Sequence, residues 1–131
     1  MRLLLDTHVA LWAILGSARL STQARDLIED PENQIVISTA TIWEIAIKHG
    51  LARGSPGDMP ISAQEAIGYF REAGFELLDI SSTHAAALET LPPLHGDPFD
   101  RILVAQALAV PLRLVTHDAK VAAYSDLVIK V

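Results

Sequence analysis

The sequence predicts a single α/β domain with a mostly parallel central sheet of four to five strands flanked by helices. Its 131 residues are a usual length for one domain and are enough to bury a substantial core. Short, continuous apolar runs alternate along the chain with segments of helical spacing. Strands that alternate with helices pair in parallel, and the helices cover both faces of the sheet. We therefore expect residues 1–131 to form one domain.

In the first half of the chain, each of two apolar strands leads into a helix. The strands are RLLLD at 2–6 and QIVIS at 34–38, whose uninterrupted apolar residues are typical of buried strands. Helical spacing, candidate caps and stops predict helices in THVALWAIL (7–15), STQARDLIED (21–30) and TATIWEIAIKHG (39–50). The Gly, Pro and Ser content of ARGSPGDMP, residues 52–60, predicts a loop.

The second half repeats this alternation. Strands are predicted in FELLDI (75–80), LRLVTH (112–117) and DLVIKV (126–131). Helices are predicted in ISAQEAIGYFREAG (61–74), SSTHAAALETL (81–91), FDRILVAQALA (99–109) and the short AKVAAY (119–124). The segment PPLHGDP, residues 92–98, breaks the chain before the third of these helices.

Composition narrows the classes of function. The absence of cysteine excludes disulfides and thiolate metal sites, so any metal must use oxygen or imidazole ligands. A net charge of −6 argues against a nonspecific nucleic-acid coat, which normally needs many Lys and Arg residues. Neither a bilayer-spanning apolar run nor a secretory signal is evident, so we expect a cytoplasmic protein with no membrane partner.

Acidic residues follow several of the predicted strands. Asp6 ends the first strand, Glu44 lies in the helix after the second, and Asp118 follows the strand at 112–117. Asp97 and Asp100 open the helix after the proline-rich break. Sites in open parallel sheets lie beyond the carboxyl ends of the strands, so we expect these acids to converge. Clustered carboxylates repel each other unless a cation neutralises them, and oxygen ligands favour Mg²⁺ or Mn²⁺.

Each acid also has a purely structural explanation. Three precede helices and are of the residue type that caps helix N-termini: Asp6, Asp97 and Asp118. Glu44 has Lys48 four residues later, which is the spacing of an ordinary helix ion pair. Asp100 lies where a negative charge favours the helix dipole. These explanations account for one residue each, whereas a metal site accounts for all of them.

Four segments carry the most specific signal in the chain. They are LLLDTHVALW (3–12), ISTATIWEIAIK (37–48), DPFDRILVAQA (97–107) and LVTHD (114–118). In this order and at this spacing they resemble the successive motifs of PIN-domain nucleases, most closely the VapC toxins of bacterial toxin-antitoxin pairs. The resemblance covers nearly the whole chain. It implies a PIN-like domain in which Asp6, Glu44, Asp100 and Asp118 form the acidic, metal-binding quartet and Asp97 is an additional candidate ligand.

The resemblance also implies an activity and partners. We expect a Mg²⁺-dependent endoribonuclease, with Mn²⁺ as a substitute, that hydrolyses RNA phosphodiester bonds with a metal-activated water. A cognate VapB-type antitoxin would hold it inactive, in a complex that contains a toxin homodimer, and the helices near IWEIAIK and ISAQEAIGYF would supply the surfaces. Lys48, Arg101 and Thr116 are candidate substrate-binding residues because they lie in or beside the motifs.

Two other functions are weighed against the nuclease. A haloacid-dehalogenase-like phosphatase would need a second Asp two residues after Asp6, where His8 stands. A catalytically silent PIN-like binding module is disfavoured because every acidic motif is present. For His8 and His117 we expect local structural or solvent roles, and for Trp12 and Trp43 we expect packing in the core.

Overall fold

The computed structural model describes residues 1–131 and contains one fully parallel sheet. The strands are β1 (Arg2–Leu5), β2 (Gln34–Ser38), β3 (Glu76–Leu78), β4 (Arg113–Thr116) and β5 (Val128–Lys130). They lie in the order β3-β2-β1-β4-β5, and every neighbouring pair is parallel. The predicted fold class is confirmed.

Seven helices flank the sheet: α1 (Thr7–Leu15), α2 (Thr22–Glu29), α3 (Thr39–Gly50), α4 (Ala63–Glu72), α5 (Ser82–Ala86), α6 (Pro98–Ala109) and α7 (Ala119–Ala122). The helix predicted over 81–91 is shorter than expected, because α5 ends at Ala86 and a 3₁₀ turn, Ala87–Thr90, follows it. Leu91 then becomes extended, as a residue that precedes a proline tends to do. No helix in the structure is long and apolar enough to cross a bilayer.

The sheet is buried on both faces, which explains why its central strands are continuously apolar. Leu3 and Leu5 of β1 pack on one side, in a cluster that includes Phe70 of α4. Leu4 points to the other side, where it joins Leu103 of α6. Each of these side chains is almost completely removed from water. The carboxyl ends of the strands therefore project from a rigid, covered layer.

A buried polar network fixes α6 to the carboxyl ends of β2 and β3. Ser38, the last residue of β2, donates its hydroxyl to Gln106 Oε1 at 2.5 Å. Gln106 Nε2 in turn donates to the carbonyl of Asp79, just after β3, at 3.4 Å. Both Ser38 and Gln106 are fully buried, so neither has water as an alternative partner.

The chain reverses its direction of travel across the sheet at β1. From β1 the chain moves outward through β2 and β3, and it then returns to place β4 on the opposite side of β1. A crevice opens beyond the carboxyl ends of neighbouring strands at such a switch point. Here the switch lies between β1 and β4, the strands that precede Asp6 and Asp118.

Candidate metal centre at the carboxyl edge of the sheet

Asp6 is the most buried carboxylate at this edge, with only 3% of its surface exposed. Its Oδ1 accepts a hydrogen bond from the Val9 amide at 2.8 Å, so the predicted cap of α1 is present. Its Oδ2 accepts from the Thr116 hydroxyl at 2.5 Å, which joins the ends of β1 and β4. The cap explains the position of one oxygen only.

Burial raises the pKa of Asp6 above its usual 3.8, because the ionised form loses water. The hydrogen bonds from Thr116 and Val9 lower the pKa in part, and so do the nearby His8 and His117 when they are charged. Burial remains the largest influence. The protein therefore holds a carboxylate in a place where its negative charge is destabilising without a counterion.

A second group of side chains lies beside Asp6. His95, Asp100 and Asp118 each offer a ligand atom, and these atoms lie within 4.8 Å of one another. His95 Nε2 is 2.8 Å from Asp100 Oδ2 and 3.9 Å from Asp118 Oδ2. Asp118 also caps α7 through the Lys120 amide, at 2.8 Å from its Oδ1. This cluster combines two carboxylates from different helices with one imidazole.

Asp6 interacts electrostatically with the cluster of His95, Asp100 and Asp118. The pKa of Asp100 is raised chiefly by burial, and the charges of Asp97 and Asp6 raise it further. The hydrogen bond and the charge of His95 act in the opposite direction. The charge of Asp6, at the end of β1, therefore reaches Asp100, at the start of α6.

Asp97 occupies the cap of α6. Its Oδ1 accepts from the amides of Phe99 at 2.8 Å and Asp100 at 3.2 Å, and Pro98 follows it at the first helical position. Asp97 does not belong to the group formed by His95, Asp100 and Asp118. Asp97 therefore caps α6, whereas Asp100 belongs to the group that could hold a metal ion.

Glu44 is nearly fully buried and lies at the edge of this centre. Its Oε1 accepts from the Thr7 hydroxyl at 2.7 Å, and its Oε2 accepts from Lys48 Nζ at 2.5 Å. Thr7 follows Asp6 in the chain, and its hydroxyl also lies 3.1 Å from that of Thr41. The Glu44–Lys48 ion pair expected from the helix spacing is therefore present, and Thr7 links it to the aspartate end of the site.

The candidate substrate-binding residues have different surroundings. Lys48 is bound to Glu44, but its side chain stays 46% exposed. Arg101 points its guanidinium at the carbonyls of Leu88 and Leu91, at 3.4 and 3.5 Å, and so supports the 3₁₀ turn. Thr116 is fully buried beneath Asp6. Of the three, only Lys48 presents a charge to solvent beside the acids.

His95 is the one member of the cluster that the sequence analysis missed. The tyrosine hydroxyl of Tyr124, after α7, accepts from the His95 amide at 3.0 Å and donates to its carbonyl at 3.4 Å. This contact fixes the loop before α6 so that the imidazole meets Asp100. The available signal was a histidine five residues before an acid in the first turn of a capped helix, within a chain that has no cysteine ligands.

Residues 3–127 match the model of the PIN domain family. The chain belongs to the PIN-domain family. Ribonuclease VapC22 of Mycobacterium tuberculosis is 31% identical to it over 122 residues, which span 89% of this PIN chain and 87% of that relative. The solved structure of VapBC2 from Rickettsia felis, bound to a DNA fragment from their promoter, covers 100% of the chain and 98% of its own, with a TM-score of 0.69 and 19% identity.

A second curated relative is much longer than the chain. An ATPase ASNA1 homolog of Leishmania braziliensis is 33% identical over 116 residues, which cover 85% of this PIN chain but 29% of that protein. The chain lacks the Gly-x-x-x-x-Gly-Lys-Ser/Thr loop that cradles nucleotide phosphates. The chain spans less than a third of that relative's length.

Replacement of Asp6 by Asn is expected to leave the metal-free protein as stable or more stable at neutral pH. The folded-state pKa lies above the ordinary 3.8, so the ionised carboxylate destabilises the fold above that folded pKa. The gain from Asp6→Asn should therefore shrink as the pH falls towards 3.8. Urea unfolding in EDTA, from neutral pH down to pH 3.8, measures this difference in the free energy of unfolding. Asp6→Ala is the control, since loss of the cap costs about 0.5–2 kcal/mol, whereas Asn still caps. A lower stability of Asp6→Asn at neutral pH would contradict the burial argument.

Asp97 and Asp100 are expected to separate into a structural and a ligand residue. Asp97→Ala should cost about 0.5–2 kcal/mol of stability through its lost cap and keep the stabilisation by Mg²⁺ or Mn²⁺. Asp100→Ala should change metal-free stability little and lose that metal stabilisation. Thermal melts with and without metal measure both effects. The reverse pattern, with metal stabilisation kept in Asp100→Ala and lost in Asp97→Ala, would reassign the third acid.

Proposed function

We propose that this chain is a metal-dependent endoribonuclease that hydrolyses RNA phosphodiester bonds and acts as the toxin of a VapBC-type pair, with one PIN domain accounting for residues 1–131. The observation that carries the proposal is the cluster of His95, Asp100 and Asp118 beside the switch point, with Asp6 close enough for its charge to raise the pKa of Asp100. The relative named as a ribonuclease, which the chain matches over most of both lengths, supports the activity. No observation favours the silent module or the phosphatase.

The donor set fits a hard divalent cation. Carboxylate oxygens from Asp6, Asp100 and Asp118 suit Mg²⁺ and Mn²⁺, which the absence of thiolates also favours. The imidazole of His95 beside them suits Mn²⁺ better than Mg²⁺. A cation at this position would also remove the repulsion that raises the pKa of Asp100. On the carboxylate oxygens we propose Mg²⁺ as the cofactor, and the imidazole makes Mn²⁺ a good substitute.

The protein's own residues organise the site before any metal or RNA binds. When bound, the cation would supply charge stabilisation for the phosphate and lower the pKa of a water. Thr116 holds Asp6 Oδ2 in place, and Thr116 also accepts the Asp118 amide at 3.1 Å. One hydroxyl therefore sets the spacing between two acids. Because Thr116 holds both carboxylates, Asp6 and Asp118 would need little rearrangement to bind a cation. The site is preorganised in this sense.

Glu44 and Lys48 are proposed to act at the outer edge of the same site. Thr7 and Lys48 occupy one oxygen each of the Glu44 carboxylate, so this acid would reach a cation through water. Lys48 offsets the charge of Glu44 and keeps half of its side chain exposed. Its ammonium group is therefore available to an RNA phosphate that enters beside the acids.

An antitoxin surface is proposed at a cavity that Asp6, Glu44, Asp100 and Asp118 do not line. An open cavity of about 460 Å³ lies between α1, α2 and α4, and apolar side chains provide most of its lining, including Ile14, Ile28 and Tyr69. An apolar helix of a VapB-type partner would bury these groups. Exposed Trp43 and Ile47 on α3 offer a separate apolar surface for the homodimer.

Purified protein without antitoxin is expected to cleave RNA in Mg²⁺ or Mn²⁺ and to stop when EDTA is added. Asp6→Asn and Asp100→Asn should abolish cleavage and cellular toxicity because each removes a ligand charge. Gel analysis of a labelled single-stranded RNA measures the reaction. A phosphomonoester assay separates the nuclease from a phosphatase. Cleavage that continues undiminished in EDTA would refute the metal mechanism.

The antitoxin is expected to be a small protein encoded beside this chain, and its binding should depend on the apolar cavity. Ile28→Lys places a charge among apolar groups and should abolish co-purification and restore toxicity in cells that express both proteins. Leu127→Lys, at an exposed leucine outside the cavity, is the matched control and should bind normally. Light scattering of the complex reports the stoichiometry. Co-purification that Ile28→Lys leaves unchanged would move the antitoxin to another surface.

A further inference from the structure

Three aromatic rings form a cluster beside Asp6 that the metal centre does not use. His8 and Trp12 lie one turn apart on α1, with ring centroids 5.9 Å apart. His117, from the end of β4, contacts both rings, at 5.5 Å from His8 and 4.8 Å from Trp12. Helix spacing explains the first pair, but a ring delivered by a different element requires the tertiary fold. From the sequence, local structural or solvent roles are expected for His8 and His117, and packing in the core for Trp12.

The cluster is anchored on one side and open on the other. Trp12 is half-buried and packs against the core cluster under α1. His8 and His117 are exposed. Both histidines lie close enough to Asp6 that their positive charge lowers its pKa. Three rings tilted by 40–78° to one another therefore lie beside Asp6, and the two histidines face solvent.

The open side of the cluster leads into a polar groove of about 590 Å³. His8 and Trp12 form part of its wall, together with Arg19 and Lys48. Lys48 is paired with Glu44, whereas the exposed Arg19 guanidinium has no hydrogen bond or ion pair within the chain. The carboxylate of Asp58, also in the wall, accepts the amides of Arg53 and Ser55. The rings of His8 and Trp12 and the unpaired guanidinium of Arg19 therefore line the same groove.

Exposed aromatic rings next to an unpaired basic group are suited to binding single-stranded RNA. Proteins recognise single-stranded RNA by stacking splayed bases on aromatic side chains and by contacting phosphates with basic groups. A base inside a duplex is stacked between neighbouring bases, so a protein ring cannot stack on it. A site that borders the scissile phosphate would select a flexible, unpaired strand.

We propose that His8, Trp12 and His117 form a stacking site for one unpaired nucleobase next to the phosphodiester held at the acidic centre, with Arg19 contacting a phosphate further along the groove. The inference rests on the proposed function in taking RNA as the substrate. It adds a binding site for one base and the residues that form it.

Kinetics provide the first test. Trp12→Leu keeps an apolar side chain against the core but removes the stacking face, and it should raise KM for single-stranded RNA about 5- to 150-fold, the range for one stacked base, with a smaller change in kcat. Trp12→Phe keeps an aromatic face and should restore most of the affinity. Leu127→Ala, at an exposed leucine that lines neither the groove nor the antitoxin cavity, is the control and should leave KM unchanged.

Fluorescence tests the contact without turnover. In a Trp43→Phe background Trp12 is the only tryptophan, so its emission reports the cluster. With Ca²⁺ in place of Mg²⁺, a short single-stranded oligoribonucleotide should quench this emission. The same strand with abasic residues, and the same sequence as a duplex, should quench it far less. His117→Ala should weaken the base-dependent quenching.

The outcomes separate the two proposals. If the wild type cleaves RNA but Trp12→Leu keeps its KM, or quenching does not depend on the bases, the stacking site is refuted and the nuclease stands. If the wild type cleaves no RNA yet its emission is quenched by bases and not by abasic strands, the stacking site stands and the nuclease is refuted. Cleavage with a raised KM for Trp12→Leu and base-dependent quenching supports both.

Discussion

The hydrogen bond between Thr116 and Asp6 is the interaction on which the rest of the site depends. It joins the ends of the two central strands, β1 and β4, and it holds a carboxylate that the fold has taken out of water. The Asp6 amide adds a backbone bond to the carbonyl of Val115 at 3.0 Å. Without a sheet covered on both faces, Asp6 would be hydrated and its two oxygens would not be fixed. The buried core therefore sets the chemistry of the carboxylate at its edge.

Capping and metal binding turn out to be compatible roles for the same side chains, because a carboxylate has two oxygens. Asp118 gives Oδ1 to the first turn of α7 and directs Oδ2 towards His95. Asp6 divides its oxygens between α1 and Thr116. The structural explanations weighed from the sequence were correct for both residues, yet they left the remaining oxygen unexplained. Asp97 differs, because one of its oxygens accepts two amides and its position lies outside the cluster.

The sequence predicted what local patterns determine. Apolar periodicity predicted the parallel sheet and the helices, and the cap residues predicted most boundaries. The exception was the helix over 81–91, which changes to a 3₁₀ turn after Ala86. The acids were found because each one follows a strand or opens a helix. His95 was missed because only the contact with Tyr124 brings its loop to Asp100. The position of His117 against Trp12 likewise depends on strand order, which periodicity does not encode.

The acidity of the chain is consistent with a selective nuclease. With a net charge of −6, the chain as a whole does not attract RNA, and the basic contacts come from a few side chains such as Lys48 and Arg19. A cation at the acids and contacts that do not depend on charge supply the rest of the binding. Stacking is such a contact, and it is open only to bases that have left a helix. A chain built this way gains affinity where RNA is unpaired and flexible enough to place a base and its phosphate side by side, and it gains almost none elsewhere.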